Sequence, residues 1–267
     1  MENSPTPLQE SSPALWADVR LVATDMDGTL TDRGQFVPQL LEALWALAAT
    51  PVATLIVTGR STGWVQGLVA YLPVVGAIAE NGGTFIPKGT GEPALLVELP
   101  PLDEHRRQLG AMFAQLQGAF PTLQPAADNR FRLTDWTFDL AGVTPADLVA
   151  IAAACETAGW GFTYSTVQGH IRPATQDKGI ALQGVLQQHF PALSTQQVVT
   201  VGDSPNDAGL FDASRFPHSI GVANVRHYCD RLPHRPTFIT QAPEVQGFTE
   251  LTRLLLAAHP KGGAGAS

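Results

Sequence analysis

An α/β fold with a largely parallel sheet, interrupted by a small α+β insert, is what this chain predicts. Short apolar runs alternate with helical stretches at both ends of the sequence, the rhythm of strands joined by helical crossovers. Between those two stretches the composition changes to a Pro/Gly-rich crossing followed by strands and two helices. At 267 residues and 44% hydrophobic content, the chain has enough apolar surface for one large core and a smaller companion.

The elements follow in order. Residues 1–17, rich in Ser and Pro, read as a disordered lead. Arg20 to Thr24 (RLVAT) is a buried strand. Pro38 to Ala49 is a helix, with proline in its first turn and Leu40, Leu41, Leu44 and Leu47 at helical spacing. Ala53 to Val57 is the second strand, Ser61 to Tyr71 a helix and Val75 to Ala79 the third strand. Glu80-Asn81-Gly82-Gly83 then makes a turn into a hairpin strand at Thr84 to Ile86. Pro87 to Pro101 holds four prolines and two glycines, which suits a crossing between domains. Beyond it come a helix over Leu102 to Gln117, strands within Phe131 to Leu140, a helix over Pro145 to Ala158, and strands at Gly161 to Ser165 and Gly169 to Arg172. The α/β rhythm returns with a helix from Lys178 to Phe190, strand Val198 to Val201, a short helix, strand Ser219 to Val222 and a last helix over Pro243 to Ala257. The expected division is therefore a lead (1–17), a discontinuous core (18–87 and 175–257), an inserted segment (88–174) and a flexible tail (258–267).

Composition excludes several classes. Asp and Glu total 24 against 16 Lys and Arg, and the net charge of −8 argues against a nucleic-acid or anionic-membrane surface. Cys155 and Cys229 have no metal-ligand or disulfide spacing. No signal-peptide pattern opens the chain, and Leu40 to Val57 is broken by Glu42, Thr50 and Pro51, so a cytoplasmic protein without a membrane span is expected.

The chemistry-bearing residues sit just after apolar strands, where open α/β sheets place their ligands. Asp25-Met26-Asp27-Gly28-Thr29-Leu30 follows the first strand, and its paired carboxylates suit a metal or a nucleophile with an acid/base. It is no EF-hand loop, because Leu30 and Phe36 stand where glycine and glutamate belong. Thr58-Gly59-Arg60 ends the second strand with a hydroxyl and backbone N–H groups fit for phosphate oxygens. Lys178 opens a helix after Arg172-Pro173-Ala174-Thr175-Gln176-Asp177. Gly202-Asp203-Ser204-Pro205-Asn206-Asp207 closes another buried strand with two more carboxylates.

In this order, LVATDMDGTL, LIVTGR, the DKG lysine and VVTVGDSPNDAGLF resemble the haloacid dehalogenase superfamily over Leu21 to Phe211. The insert, lying between the threonine motif and the lysine, looks like the cap of subfamily IIB, which includes sucrose-phosphatase-like and Cof-like enzymes. The resemblance implies a Rossmann-like three-layer core with a C2B-type cap. It also implies Mg²⁺-dependent hydrolysis of a small phosphate ester, most naturally a sugar phosphate, through an aspartyl phosphate. By the same resemblance Asp25 is the nucleophile, Asp27 the acid/base, Thr58 and Gly59 phosphoryl-binding groups, and Lys178 the charge-neutralising cation. Asp25, Asp203 and the backbone carbonyl of Asp27 are the implied metal ligands, with Asp207 and Asn206 as further ligands, groups supporting those ligands or phosphate-side contacts. Four aspartates and a phosphate dianion against one lysine leave about −5 in one cleft, which calls for a divalent cation, and oxygen ligands favour Mg²⁺.

Arg60, Asn81, Asn206, His170 and Arg172 are further candidates for substrate contact. Arg130 and Arg132 would share a face of a cap strand, while Trp45 and Trp64 are expected to pack. Three other functions fit parts of the sequence. A phosphomannomutase-like phosphotransferase or a non-catalytic sugar-phosphate binder would use the same fold. A serine hydrolase would use Ser61 in Gly59-Arg60-Ser61-Thr62-Gly63, a literal G-x-S-x-G. The expected partner is a small-molecule ester, with the chain a monomer or weak homo-oligomer.

Overall fold

The computed structural model describes residues 4–89, 92–165 and 167–260. Residues 261–267 of the expected tail lie outside this range. The first elements are β1 (Thr6–Pro7) and α1 (Pro13–Ala17), followed by β2 (Leu21–Thr24), α2 (Pro38–Ala48), β3 (Ala53–Val57) and α3 (Thr62–Tyr71). Next come β4 (Gly76–Ala79), β5 (Thr84–Pro87), β6 (Ala94–Leu95) and α4 (Leu102–Ala119). The inserted segment continues with β7 (Trp136–Asp139), α5 (Pro145–Thr157), β8 (Trp160–Tyr164) and β9 (Gln168–Pro173). The chain closes with α6 (Lys178–His189), β10 (Val198–Gly202), β11 (His218–Gly221), β12 (Phe238–Ile239) and α7 (Glu244–Ala258).

Among the described residues, nine strands form one sheet in the order β1-β12-β11-β10-β2-β3-β4-β5-β6. It is parallel from β1 to β4 and antiparallel at β5 and β6. Alternation along the strands decides the layers. Val22 and Ile56 pack with Leu44 of α2, Val65 of α3 and Phe248 of α7, whereas Leu21, Ala23, Leu55 and Val57 face Leu182 and Val185 of α6. The result is a three-layer α/β core. Both faces of β2, β3 and β10 are buried, which is why these strands read as unbroken apolar runs.

The inserted segment carries an antiparallel sheet in the order β7-β9-β8, with α4 and α5 on one face. Phe138 and Ile171 meet Leu109, Phe113 and Ile151 there. His170 and Arg172, one residue to either side of Ile171, leave β9 on the opposite face. Thr144 caps α5 by exchanging hydrogen bonds with Asp147.

Three expectations need correction. Residues 4–17 are not a loose lead: β1 pairs with β12, and Leu8 and Trp16 are buried, because these two apolar side chains outweigh the polar composition around them. Trp16 donates to Ser11 Oγ at 3.0 Å and accepts at its carbonyl from His259. Trp16→Ala is expected to cost about 3 kcal/mol, read as a lower urea midpoint at unchanged slope. Second, no strand runs from Phe131: residues 127–131 form a 3-10 turn fastened by Asn129, whose amide donates to the carbonyls of Ala126 and Thr137. Arg130 lies over the Phe131 ring while Arg132 is buried, so the two do not share a strand face. Third, Trp45 and Trp64 are 63% and 45% exposed and are not core residues. Among the described residues no helix is long and apolar enough to cross a membrane.

Candidate active site

Parallel strands deliver their C-terminal ends to one edge of the sheet, and the four motifs meet there for that reason. Asp25 follows β2, Thr58 follows β3, Asp203 follows β10, and Lys178 is the first residue of α6, with Asp177 as its cap. Lys178 Nζ donates to Asp25 Oδ1 at 2.6 Å and to Asp207 Oδ1 at 2.7 Å, and all three side chains are buried. The other oxygen of Asp207 accepts from the backbone N–H groups of Asp203 and Ser204 at 2.9 and 3.1 Å, so Asp207 holds both the lysine and its own loop. Gly28 turns the first motif with φ +80°, and a Cβ there would stand 2.5 Å from Asp203 Oδ2. Glycine is needed on both counts.

Asp25, Asp203 and Asp207 each offer an oxygen within 4.8 Å of the others. Burial, opposed by Lys178 and reinforced by Asp207 and Asp27, lifts Asp25 from 3.8 to about 7. Burial and the charges of Asp25 and Asp207 push Asp203 well above its ordinary value. Burial works against the Lys178 charge too, but Asp207 and Asp25 outweigh it and hold the ammonium above its usual range. Three buried carboxylates sharing one ammonium form an all-oxygen donor set short of positive charge, which fits a hard divalent cation.

A pH dependence follows. In the metal-free protein Asp25 keeps a proton that the unfolded chain has lost between 3.8 and about 7. Its stabilising contribution is therefore complete below 3.8 and gone once pH has risen through about 7. A cation must displace that proton, so the rise in melting temperature on adding Mg²⁺ should be larger at about pH 8 than at about pH 6. Equal shifts at the two pH values would contradict it.

The Asp27 carboxylate stands apart from this triad. Arg60 grips it with two bonds of 2.8 and 2.6 Å, a pairing that raises the arginine's pKa. Arg60, expected as a substrate contact, therefore serves Asp27 in this arrangement. Thr58 is buried, and its hydroxyl accepts from the Arg60 N–H at 3.1 Å. Asn206 donates to Asn81 Oδ1 at 3.0 Å, leaving Asn81 Nδ2 buried with no partner among the described residues. Asp25, Asp27, Gly59, Arg60, His170 and Asn206 line one cleft whose enclosed space is only about 10 Å³, room for a single water. Arg172 is not part of that lining. Its guanidinium turns to the carbonyls of Pro173, Ala174 and Gln176 and pins the return connection, so the structure does not support it as a substrate contact. Ser61 is fully buried at the start of α3, and its Oγ has no partner among the described residues, which does not suit an activated nucleophile.

Sequence reasoning missed two supports. Asn224 donates to Asp203 Oδ2 at 2.8 Å and to the Gly28 carbonyl at 3.0 Å, tying the two acidic motifs together, and nothing in its local sequence marks it. Glu80, with φ +52°, is completely buried and accepts from the N–H and hydroxyl of both Thr62 and Thr134 and from the N–H of Leu133. One core carboxylate thus fastens α3 to the inserted segment.

With this geometry in hand, comparison with known proteins is decisive. The sequence profile of sucrose-6F-phosphate phosphohydrolase matches residues 18–250. The chain belongs to that family. Its relatives include a phosphoglycolate phosphatase of Haloarcula marismortui, 27% identical over 88% of this chain and 96% of the relative. Another phosphoglycolate phosphatase, from Pyrobaculum islandicum, is 25% identical over 89% and 96%. Among solved structures, the sucrose-phosphatase of Synechocystis in complex with sucrose and phosphate superposes with a TM-score of 0.61 at 18% identity, covering 88% of this chain and 97% of that one. The C-terminal domain of trehalose-6-phosphate phosphatase of C. albicans gives 0.68 at 14% identity, covering 97% and 99%. Sucrose-6F-phosphate phosphohydrolases have the haloacid dehalogenase fold expected from the motifs, with a capped Rossmann-like core.

Proposed function

We propose that this protein is a Mg²⁺-dependent phosphomonoester hydrolase that acts on a small sugar-phosphate-like metabolite through an aspartyl phosphate. The observation that carries the reading is the position of Lys178 between Asp25 and Asp207, with Asp203 completing an all-oxygen donor set. Asp25, Asp203 and Asp207 would hold the cation, which when bound supplies positive charge against the carboxylates and the transferring phosphoryl group.

Asp25 attacks phosphorus, forming a carboxylate–phosphorus bond as the ester P–O bond breaks, and the electron pair leaves with the alcohol oxygen. Asp27 gives that oxygen a proton. In the second half-reaction Asp27 takes a proton from water while the water oxygen attacks phosphorus, which frees Asp25 and inorganic phosphate. The fork of Arg60 engages both oxygens of Asp27 and must loosen for one of them to reach the alcohol or the water. Lys178 aims Asp25 and offsets charge on the phosphoryl oxygens, while Thr58, the Gly59 N–H and the unpartnered Asn81 Nδ2 are donors for those oxygens. The segment from α4 to β9 acts as the cap, on a core that keeps β1 and β6 as its edge strands and so runs past the expected boundaries at residues 18 and 87. With about 10 Å³ enclosed, an ester enters only when lining side chains move or the cap lifts.

The family match favours a sugar phosphate, and the names of the relatives favour phosphoglycolate. Phosphate release from sucrose 6-phosphate, trehalose 6-phosphate, hexose 6-phosphates and phosphoglycolate, with and without a chelator, tests both. Chelator-sensitive release from sugar phosphates supports the proposal. Release from phosphoglycolate alone would move the substrate to a phosphate ester of a carboxylate-bearing alcohol, and release from none would overturn the reading.

A further inference from the structure

Three buried side chains of the inserted segment form a chain that the proposed chemistry does not use. Arg132 and Asp135 lie on the strap before β7 and His170 lies on β9, and their exposures are 2%, 0% and 2%. Arg132 Nη1 donates to Asp135 Oδ1 at 2.9 Å and to the carbonyl of Gly59, in the phosphate-loop motif, also at 2.9 Å. Arg132 Nη2 donates to Asp128 Oδ2 at 2.9 Å. The second Asp135 oxygen meets His170 Nδ1 at 2.9 Å. From there the imidazole reaches the cleft beside Asp27 and Arg60, so close that a Cβ on Gly59 would lie 3.2 Å from His170 Cε1.

The contact with Asp135 sets which imidazole nitrogen is left without a partner and what it offers. Burial works against the charge of Asp135, but Arg132 and His170 outweigh it and hold the carboxyl below its ordinary range. An ionised carboxylate only accepts, so Nδ1 carries the proton. Nε2 makes no hydrogen bond among the described residues. Burial also holds the imidazole below its ordinary value against the pull of Asp135, leaving Nε2 a bare lone pair at neutral pH.

We propose that His170 reads the leaving group as a hydrogen-bond acceptor, so that the site selects esters whose alcohol carries a further hydroxyl, with Asp135 and Arg132 as positioning residues. The inference rests on the phosphatase reading above. A hydroxyl donor satisfies Nε2, whereas a carboxylate would face a lone pair in a cleft already rich in aspartate.

The test compares kcat/KM of the Mg²⁺-loaded full chain for glycerol phosphate, propyl phosphate and phosphoglycolate. The first two share a three-carbon skeleton and differ in hydroxyls. The wild type should prefer glycerol phosphate over both of the others by about tenfold or more. His170→Ala should bring the glycerol-to-propyl ratio close to one, and His170→Gln, which keeps an acceptor, should retain part of the preference. In Asp135→Asn the amide donates to Nδ1 and moves the proton to Nε2, so preference should swing towards phosphoglycolate. A merely structural role would lower all three rates together and leave the ratios in place. If Asp135→Asn does not fold, the His170 variants decide alone. A wild-type ratio near one, or a ratio unchanged by His170→Ala, overturns this inference and leaves the phosphatase reading intact. Failure of the wild type to release phosphate from all three while it hydrolyses the sugar phosphates overturns this inference alone, and failure on the sugar phosphates as well overturns both.

Discussion

Asp25→Asn is expected to lower phosphate release by about 10⁴-fold or more while leaving the protein folded. The amide has the shape of the carboxylate but no nucleophilic oxygen anion. Lys178 loses one of its two carboxylate partners and keeps Asp207 at 2.7 Å. Because burial lifts Asp25 to about 7, its charge is a liability in the metal-free fold, so the melting temperature without Mg²⁺ should be unchanged or higher. The stabilisation by added Mg²⁺ should shrink, since one of the three clustered carboxylates is gone. Steady-state release and thermal unfolding of the same preparation check both halves. Turnover within about tenfold of wild type would remove Asp25 from its role.

Lys178→Met should have the largest effect on stability. The methionine fills a similar volume but leaves Asp25 and Asp207 facing each other with no counter-ion at full burial. Breaking a buried pair from one side costs about 3 to 5 kcal/mol, more than the modest value of an intact buried pair, because the remaining charge is stranded. Urea unfolding at neutral pH without metal should show that loss. Part of it should return on acidification, as the carboxyls take up protons, and part on adding Mg²⁺. Activity should fall by about 10²- to 10³-fold through loss of one positive charge at the reacting oxygens. A stability loss that neither acid nor Mg²⁺ relieves would mean that packing, not charge, is what Lys178 supplies.

The chain displays its motifs openly and hides their supports. DMDGTL, LIVTGR, DKG and GDSPND could each be placed at a strand end or helix start from neighbouring residues alone, and all four meet where a parallel sheet would put them. Arg60 was visible as a cleft residue, but its attachment to Asp27 depends on the register between β2 and β3. Glu80 looked like the first residue of a turn. Its burial under Thr134 is decided by a segment more than fifty positions away. The Ser/Pro-rich composition of the first seventeen residues suggests a loose lead, whereas in the structure two apolar anchors, Leu8 and Trp16, suffice to dock residues 4–17.

By itself, then, the sequence determined the α/β class, the strand ends and the placing of paired carboxylates just after those ends, because alternation and spacing act between neighbours in the chain. Only the tertiary structure decided which of those groups touch. Lys178 chooses Asp25 and Asp207, Arg60 chooses Asp27, and His170 reaches the cleft through Asp135 and Arg132. The physical reason is that a buried charge must find its partner in three dimensions. The partner is whichever residue the packed sheet and the inserted segment bring within hydrogen-bond distance, and local spacing does not encode that distance.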